Sequence, residues 1–370
     1  MARQGRKRNN VRSIVLIALV AALLISVIVV AATVLRRPSI NMEGLQPLPV
    51  SNAQGVFTWQ DGVICVDGTN AANIAADGSA KWQITLPEGV SEAHCSDSGS
   101  YCALWSESKI FIVNASGQIV VEHPLENTGK LLEVRCADSL FAVLMDEEGL
   151  HKIYIYDMKD KLQGDPMYYP DQLVMDFGFF TGGQQQLWTL ALDSHGVVPV
   201  SRISTYNPGQ SMTGLISLND QVVYRCLPQE KTVYSVSAQY LDAWSYTGES
   251  QYSKLIYGWL VQDIRADNGN VTALLAPAGT GDVAAISSLW VINVNQTECQ
   301  ITLPSGCKRA MLGEEKIYVA ADSGIYSMNL DGSARRFYTA PFYIDSVVAA
   351  VSGRALVVQS QGNIYMISLE

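Results

Sequence analysis

Histidine is scarce in this 370-residue chain: His94, His123, His151 and His195 are the only four, and each stands alone. Zinc sites and His-assisted nucleophiles need ligands that converge, so none is written here as a local motif. No G-x-S-x-G elbow, phosphate-binding loop or zinc-binding His motif occurs. Seven cysteines (Cys65, Cys95, Cys102, Cys136, Cys226, Cys299, Cys307) include no C-x-x-C pair, which removes the usual redox and zinc spacings. Charge is low, 16% of residues, and cations are outnumbered, 25 Lys and Arg against 35 Asp and Glu. Helical spacing is hard to find after residue 50, and no low-complexity tract or charge block divides the remaining chain. A single domain is expected there.

The one long apolar run is Ser13–Leu35 (SIVLIALVAALLISVIVVAATVL), without a charge, proline, glycine or asparagine. At about 1.5 Å per residue it spans roughly 34 Å as a helix, enough for a hydrocarbon core of about 30 Å. It is too long for the core of a cleaved signal peptide, and Arg36-Arg37-Pro38 follows it in place of a small-residue cleavage site. The run therefore reads as an uncleaved signal anchor, with the lipid bilayer as a partner through residues 13–35. Arg3, Arg6, Lys7, Arg8 and Arg12 precede it, whereas Arg36 and Arg37 follow. This bias keeps the N-terminus inside.

The expected plan is a cytoplasmic basic tail (1–12), a transmembrane signal anchor (13–35), a stalk (36–50) and an extracytoplasmic domain (51–370), in a single-pass protein of the cell membrane. Without the seven N-terminal cations the chain holds 18 cations against 35 carboxylates, a balance of −17. Nucleic acid and anionic lipid surfaces want a basic face, so nucleic acid is not an expected partner.

Beyond residue 50 the pattern is that of short strands. KIFIVNASG (109–117), KIYIYDMKD (152–160), GIYSMNLDGS (324–333) and NIYMISLE (363–370) set β-branched or aromatic residues at alternate places, and the first three run into turns. A unit of apolar strand, sharp turn, apolar strand, Asn/Asp-x-x-Gly turn and departing strand recurs. Its second strand falls near Ile64, Ile112, Tyr154, Ile203, Tyr240, Val291, Tyr326 and Tyr365. The mean interval, about 43 residues, is that of propeller blades. The fold class expected is all-β, a β-propeller preceded by one transmembrane helix, with eight blades favoured over seven. Gly55–Trp59 is expected to close the ring beside the last strand.

AADGSAKWQI (75–84) is similar to the repeat of the pyrroloquinoline-quinone-like, or quinoprotein-type, propellers, whose tryptophan docks one blade on the next. VNASGQIVVE (113–122) and MNLDGSARRFY (328–338) keep the Asn/Asp and Gly and lose the Trp. The whole plan also resembles membrane-anchored propeller proteins of Clostridia-type bacteria, which implies no activity. Quinone enzymes of this fold hold their cofactor with calcium, carboxylates and often adjacent cysteines. This chain has no Cys-Cys pair and no matching carboxylate cluster, so no cofactor and no metal are expected.

The reading that follows is a binding or scaffold module of the cell envelope, with an envelope protein or glycan as partner and no catalytic residue. The alternatives are a divergent envelope enzyme, either a quinone-type oxidoreductase or a glycan-acting hydrolase, or a single-pass sensor. Aromatic clusters supply the candidate interaction surface: Tyr168, Tyr169, Tyr240, Trp244, Tyr246 and Trp259. Such rings anchor interfaces when exposed and pack blades when buried. Cys95/Cys102 (CSDSGSYC) and Cys299/Cys307 (CQITLPSGC) could each clip a hairpin, with small buried thiols as the alternative. Asn114, Asn270 and Asn295 head N-x-S/T sequons, short turns that arise by chance in such composition.

Overall fold

A computed structural model describes Ile25, Ile40 and residues 47–369, apart from 97, 126–128, 181–184, 210–211, 230–231, 268–269, 280–284, 314 and 352–354. The expected anchor at 13–35 lies, except for Ile25, outside the described residues. Among those described, no helix is long and apolar enough to cross a membrane.

Eight antiparallel sheets follow one another along the chain, at 56–85, 92–124, 130–169, 172–219, 223–255, 259–302, 307–339 and 346–368. Seven have four strands in sequential order and the last has three. First strands of neighbouring sheets touch, blades 5 and 6 meet through Val236, Leu241, Ile264 and Val271, and the first strand of the eighth sheet touches that of the first, so the sheets close into a ring around a central channel. This is an eight-bladed β-propeller.

Its core lies between blades. Eight apolar clusters fill the eight blade interfaces. One joins Ile64 and Val66 of blade 1 to Leu104 and Phe111 of blade 2, and another joins Val357 and Ile364 of blade 8 to Val63 and Ala72 of blade 1. A middle strand is thus covered on both sides, which explains the short continuous apolar runs. Gly62–Asp67 and Lys109–Asn114 are buried at nearly every position. The outer strands, such as Ala80–Thr85, alternate.

Two expectations are corrected here. The residues chosen as second-strand markers lie on third strands in seven blades; Ile64 alone sits on a second strand. Second and third strands are both covered by neighbouring blades on both faces and share the same apolar character, so apolar runs alone do not tell one from the other. The ring is also not closed by Gly55–Trp59. Val56–Trp59 turns tightly at Gln60-Asp61 into Gly62–Asp67 and becomes the inner strand of blade 1. Pro47 instead pairs with Tyr365, and the Leu48 N–H donates to the Ile364 carbonyl at 2.7 Å. Ile40 is buried against blades 7 and 8, its N–H donating to the Thr339 carbonyl at 3.0 Å. These parts of the expected stalk belong to the wall of the ring, which masks the edge of its last blade.

The Asn/Asp-x-x-Gly turn is the hairpin between third and outer strands. The same turn bond runs from Gly78 to Ala75, Gly117 to Asn114, Gly248 to Ser245 and Gly332 to Asn329. In blade 2 it has a second use. Gly117 has φ +83°, and a Cβ there would come within 2.8 Å of the Trp82 ring. Trp82 of blade 1 therefore seats on a bare glycine of blade 2, with Trp59 edge-on at 6.1 Å. In blade 7 Gly332 takes Ile301 of blade 6 in the same way, so the docking geometry persists where the tryptophan is lost.

Candidate functional site

Five of the channel-lining strands share a feature. Gln172–Phe179, Val223–Gln229, Trp259–Asp267, Cys307–Leu312 and Ser346–Val351 each carry a β-bulge near their start. The extra residues are Met175, Tyr224, Gln262, Lys308 and Val348. A bulge breaks the two-residue alternation and re-aims the side chain that follows. Those next residues are Asp176, Arg225, Asp263, Arg309 and Ala349. With Arg135 on blade 3, five successive blades carry inner-strand charges of alternating sign.

The Arg135 side chain ties this belt together. Its Nε donates to the Phe177 carbonyl at 3.1 Å, one terminal nitrogen donates to Asp176 at 3.2 Å and the other lies 2.9 Å from Glu133. Burial raises the Glu133 pKa above the ordinary carboxylate value, with Arg135 opposing it. One Asp263 oxygen accepts from the Ile264 N–H within its own strand, and the other accepts from the Leu312 N–H of blade 7 at 2.9 Å. The belt borders a channel cavity of about 780 Å³ whose wall includes Gln60, Glu92, His94, Glu133, Arg135 and Asp263. The cavity is polar and of mixed sign, neither plugged by apolar side chains nor a nest of carboxylates. Among the described residues no group of three or more His, Cys, Asp or Glu could hold a metal ion.

The histidines are dispersed through blades 2 to 4. The His94 Nδ1 accepts from the Cys136 N–H at 3.3 Å. Part of its ring faces the channel, yet burial, with Arg135 beside it, drives its pKa down to about 3. His123 meets Asp160 at 2.7 Å and leans on Tyr156. His151 is buried and accepts from the Val174 N–H at 3.0 Å. His195 lies 3.7 Å from both Asp171 and Asp193.

The expected aromatic surface is mostly interior. Tyr169 is buried and donates to Thr189 at 3.1 Å. Trp244 donates to Ser235 at 3.1 Å and packs, with Tyr246, against the cluster between blades 4 and 5. The Tyr246 hydroxyl donates to the Gln229 carbonyl, and its ring meets Phe180 edge-on at 5.1 Å. Trp259 meets Trp290 at 5.4 Å inside blade 6, and Tyr240 is partly covered at the start of its strand. Of the six, Tyr168 alone is exposed, with the Lys152 ammonium 5.3 Å above its ring. Half-buried strands favour aromatic residues, and that preference filled these positions.

The two cysteine pairs separate. Cys95 and Cys102 face each other across the hairpin of Glu92–Cys95 and Tyr101–Trp105, with their sulfurs 3.2 Å apart as free thiols. Cys299 and Cys307 do not share a hairpin: Cys299 is on the outer strand of blade 6 and Cys307 opens the inner strand of blade 7.

The charged belt escapes a reading by motif, because its members are single residues spread over five blades. The recurring apolar-x-charge tripeptides at the inner strands (VMD, VYR, VQD, CKR) are the signal that would have found it.

No family model and no curated relative matches the chain. Solved structures do. It is similar to the WD40 domain of SCAP from fission yeast, at 12% identity and a TM-score of 0.60, over 88% of this chain and 94% of that one. It is similar to the dihydro-heme d1 dehydrogenase NirN, at 10% identity and 0.52, over 90% and 76%. A chain of the mitotic checkpoint complex gives 12% identity and 0.52, over 90% and 93%. At these identities the likeness is one of fold.

Proposed function

We propose that this eight-bladed propeller is a membrane-tethered, extracytoplasmic binding or scaffold module of the cell envelope. The observation that carries the reading is how the N-terminal chain joins the ring. Directly after the apolar run, Ile40 is buried against blades 7 and 8, and Pro47 and Leu48 pair with the last strand. A free leader would not contribute core residues and a closing strand. The anchor and the rigid ring thus form one mechanical piece, suited to holding a surface at a fixed place beside the bilayer.

The charged channel supports binding over chemistry. Arg135 pairs with Asp176 and Glu133, and Asp263 is held by two backbone N–H groups, an arrangement that gives polar, directional contacts without poising one group for proton transfer. Trp82 on Gly117 supports placing the repeats with the quinoprotein-type propellers. Similar folds serve in the mitotic checkpoint complex and in an enzyme, so the fold alone does not choose.

The test is to solubilise the full chain from its own envelope in mild detergent and identify what co-purifies. A component retained by the wild type and lost in Glu249→Lys or Glu315→Lys, exposed sites beside the turns between third and outer strands and between first and second strands, supports the reading. A chain that purifies alone while turning over an envelope glycan or a quinone contradicts it.

A further inference from the structure

A propeller has two loop faces. One carries the turns between first and second and between third and outer strands. The other carries the turns between second and third strands and the connections between blades. The exposed apolar side chains collect on the second face. Val197 lies in a turn of blade 4, Val222 and Tyr257 in connections on either side of blade 5, and Met175, Tyr224 and Leu260 at that end of three successive inner strands. Tyr257 is 74% exposed and Val197 entirely so. The Val261 backbone reaches the Tyr224 hydroxyl, which joins blades 5 and 6 at this rim. The apolar side chains run over blades 4, 5 and 6 as neighbours. Water-facing groups of this size mark a surface with a partner.

The chain itself identifies the partner. Thr339, which receives the Ile40 N–H, is the last residue of its strand and lies on this same face, at the rim of blade 7. Leu35, the end of the apolar run, and Ile40 are five Cα–Cα steps apart, with four residues between them. Even fully extended those steps reach no more than about 18 Å. The headgroup layer beyond the hydrocarbon takes up several ångströms of that reach, about 5–8 Å on each side of the bilayer. The apolar side of the ring is next to the blade that the anchor holds. Such a tether makes contact between face and membrane intramolecular, at an effective concentration in the millimolar range.

We infer that the blade 4–6 side of this face rests on the outer surface of the lipid bilayer, with Tyr257, Tyr224, Leu260 and Val197 in the headgroup layer. The inference rests on the anchor reading above. Tyrosine suits a layer where one end of a ring is apolar and the other wet. Exposed Asp220 and Arg225 border the patch, a carboxylate and a guanidinium that match the two charges of a zwitterionic headgroup. On the same face, blades 2 and 3 expose Glu107 and Glu148, which resist burial in an apolar layer. The ring therefore tilts, with blades 4–7 towards the membrane and blades 1–3 away from it. The opposite face and its turns look outward, free for an envelope partner.

The experiment uses the full chain reconstituted into phosphatidylcholine vesicles. A small fluorophore is attached at Y257C, or at L162C, an exposed site on the opposite face, with the wild type setting the background from native thiols. Quenching is read with doxyl-labelled lipid and with aqueous iodide. The expected result is several-fold stronger lipid quenching at 257 than at 162, with iodide in the reverse order. Equal quenching at both sites overturns the inference. So does a label at 257 hidden from both quenchers, which would mean that a second copy of the chain covers the face. Alkaline extraction of the same vesicles separates the two readings. If the chain is stripped off, the anchor reading fails and takes the inference with it; if it is retained without lipid quenching at 257, only the inference fails.

Discussion

Single residues carry two of the consequences. Trp82 fills space above Gly117 that any side chain on that glycine would occupy. Trp82→Ala opens a hole at the joint of blades 1 and 2, with an expected loss of about 2–3 kcal/mol, read as a fall of several degrees in the thermal midpoint. Gly117→Ala meets both the ring and a positive φ, and should destabilise comparably. His94 gives a pH effect with a definite sign. Its folded pKa, about 3, lies below the ordinary 6.5, so the unfolded chain takes up a proton that the folded ring refuses. Stability from this group is complete above the unfolded value and is lost as pH falls towards the folded one. Part of the ring is wet, so the loss by about pH 4 is of order 2 kcal/mol. Acid melts of wild type and His94→Gln should show it: the variant starts less stable at neutral pH, and its stability falls less steeply below pH 6.5.

At the scale of elements, the hairpin of blade 2 reports on the compartment. Ser96 N–H donates to the Tyr101 carbonyl, so the neighbouring Cys95–Cys102 pair sits at a non-hydrogen-bonded position, where Cα atoms lie closest and a bridge needs least movement. In an exported protein this pair should be oxidised. Thiol counting on denatured, unreduced protein from its native membrane should find two fewer thiols than the seven in the sequence, with peptide mapping locating the bridge at Cys95–Cys102. Seven thiols would argue for a reducing compartment. Elements also show what was legible. Turn chemistry and apolar runs gave away the blades, because Asn, Asp and Gly must occupy those hairpins and middle strands must be apolar on both sides. The closing strand was not legible: Val56–Trp59 and Pro47–Leu48 are both short and extended, and a tight turn at Gln60-Asp61 decides which becomes the inner strand. Bulges hid the charged belt by breaking the alternation that an eye follows along a strand. The aromatic residues misled for a related reason, since Tyr169, Trp244 and Trp259 are as suitable between blades as on a surface. Arg135 is the element joint most exposed to test. Arg135→Met leaves the Phe177 carbonyl without the Arg135 donor and Asp176 with the Phe177 N–H in place of a cation, and should cost about 1–3 kcal/mol.

The whole molecule is a rigid ring whose N-terminal chain enters through its own wall. In the proposed arrangement, that entry ties the ring to the membrane, with the apolar side chains on the near face and the turns between third and outer strands on the far one. Everything functional in this account depends on the ring lying outside. Ala80, exposed at the start of the outer strand of blade 1, offers a handle on the far face. The most direct measurement is to treat intact cells carrying Ala80→Cys with a membrane-impermeant maleimide, with the wild type as background for native thiols. The account predicts full labelling in intact cells, unchanged on lysis. Labelling that appears only after the membrane is broken would place the ring inside and contradict it.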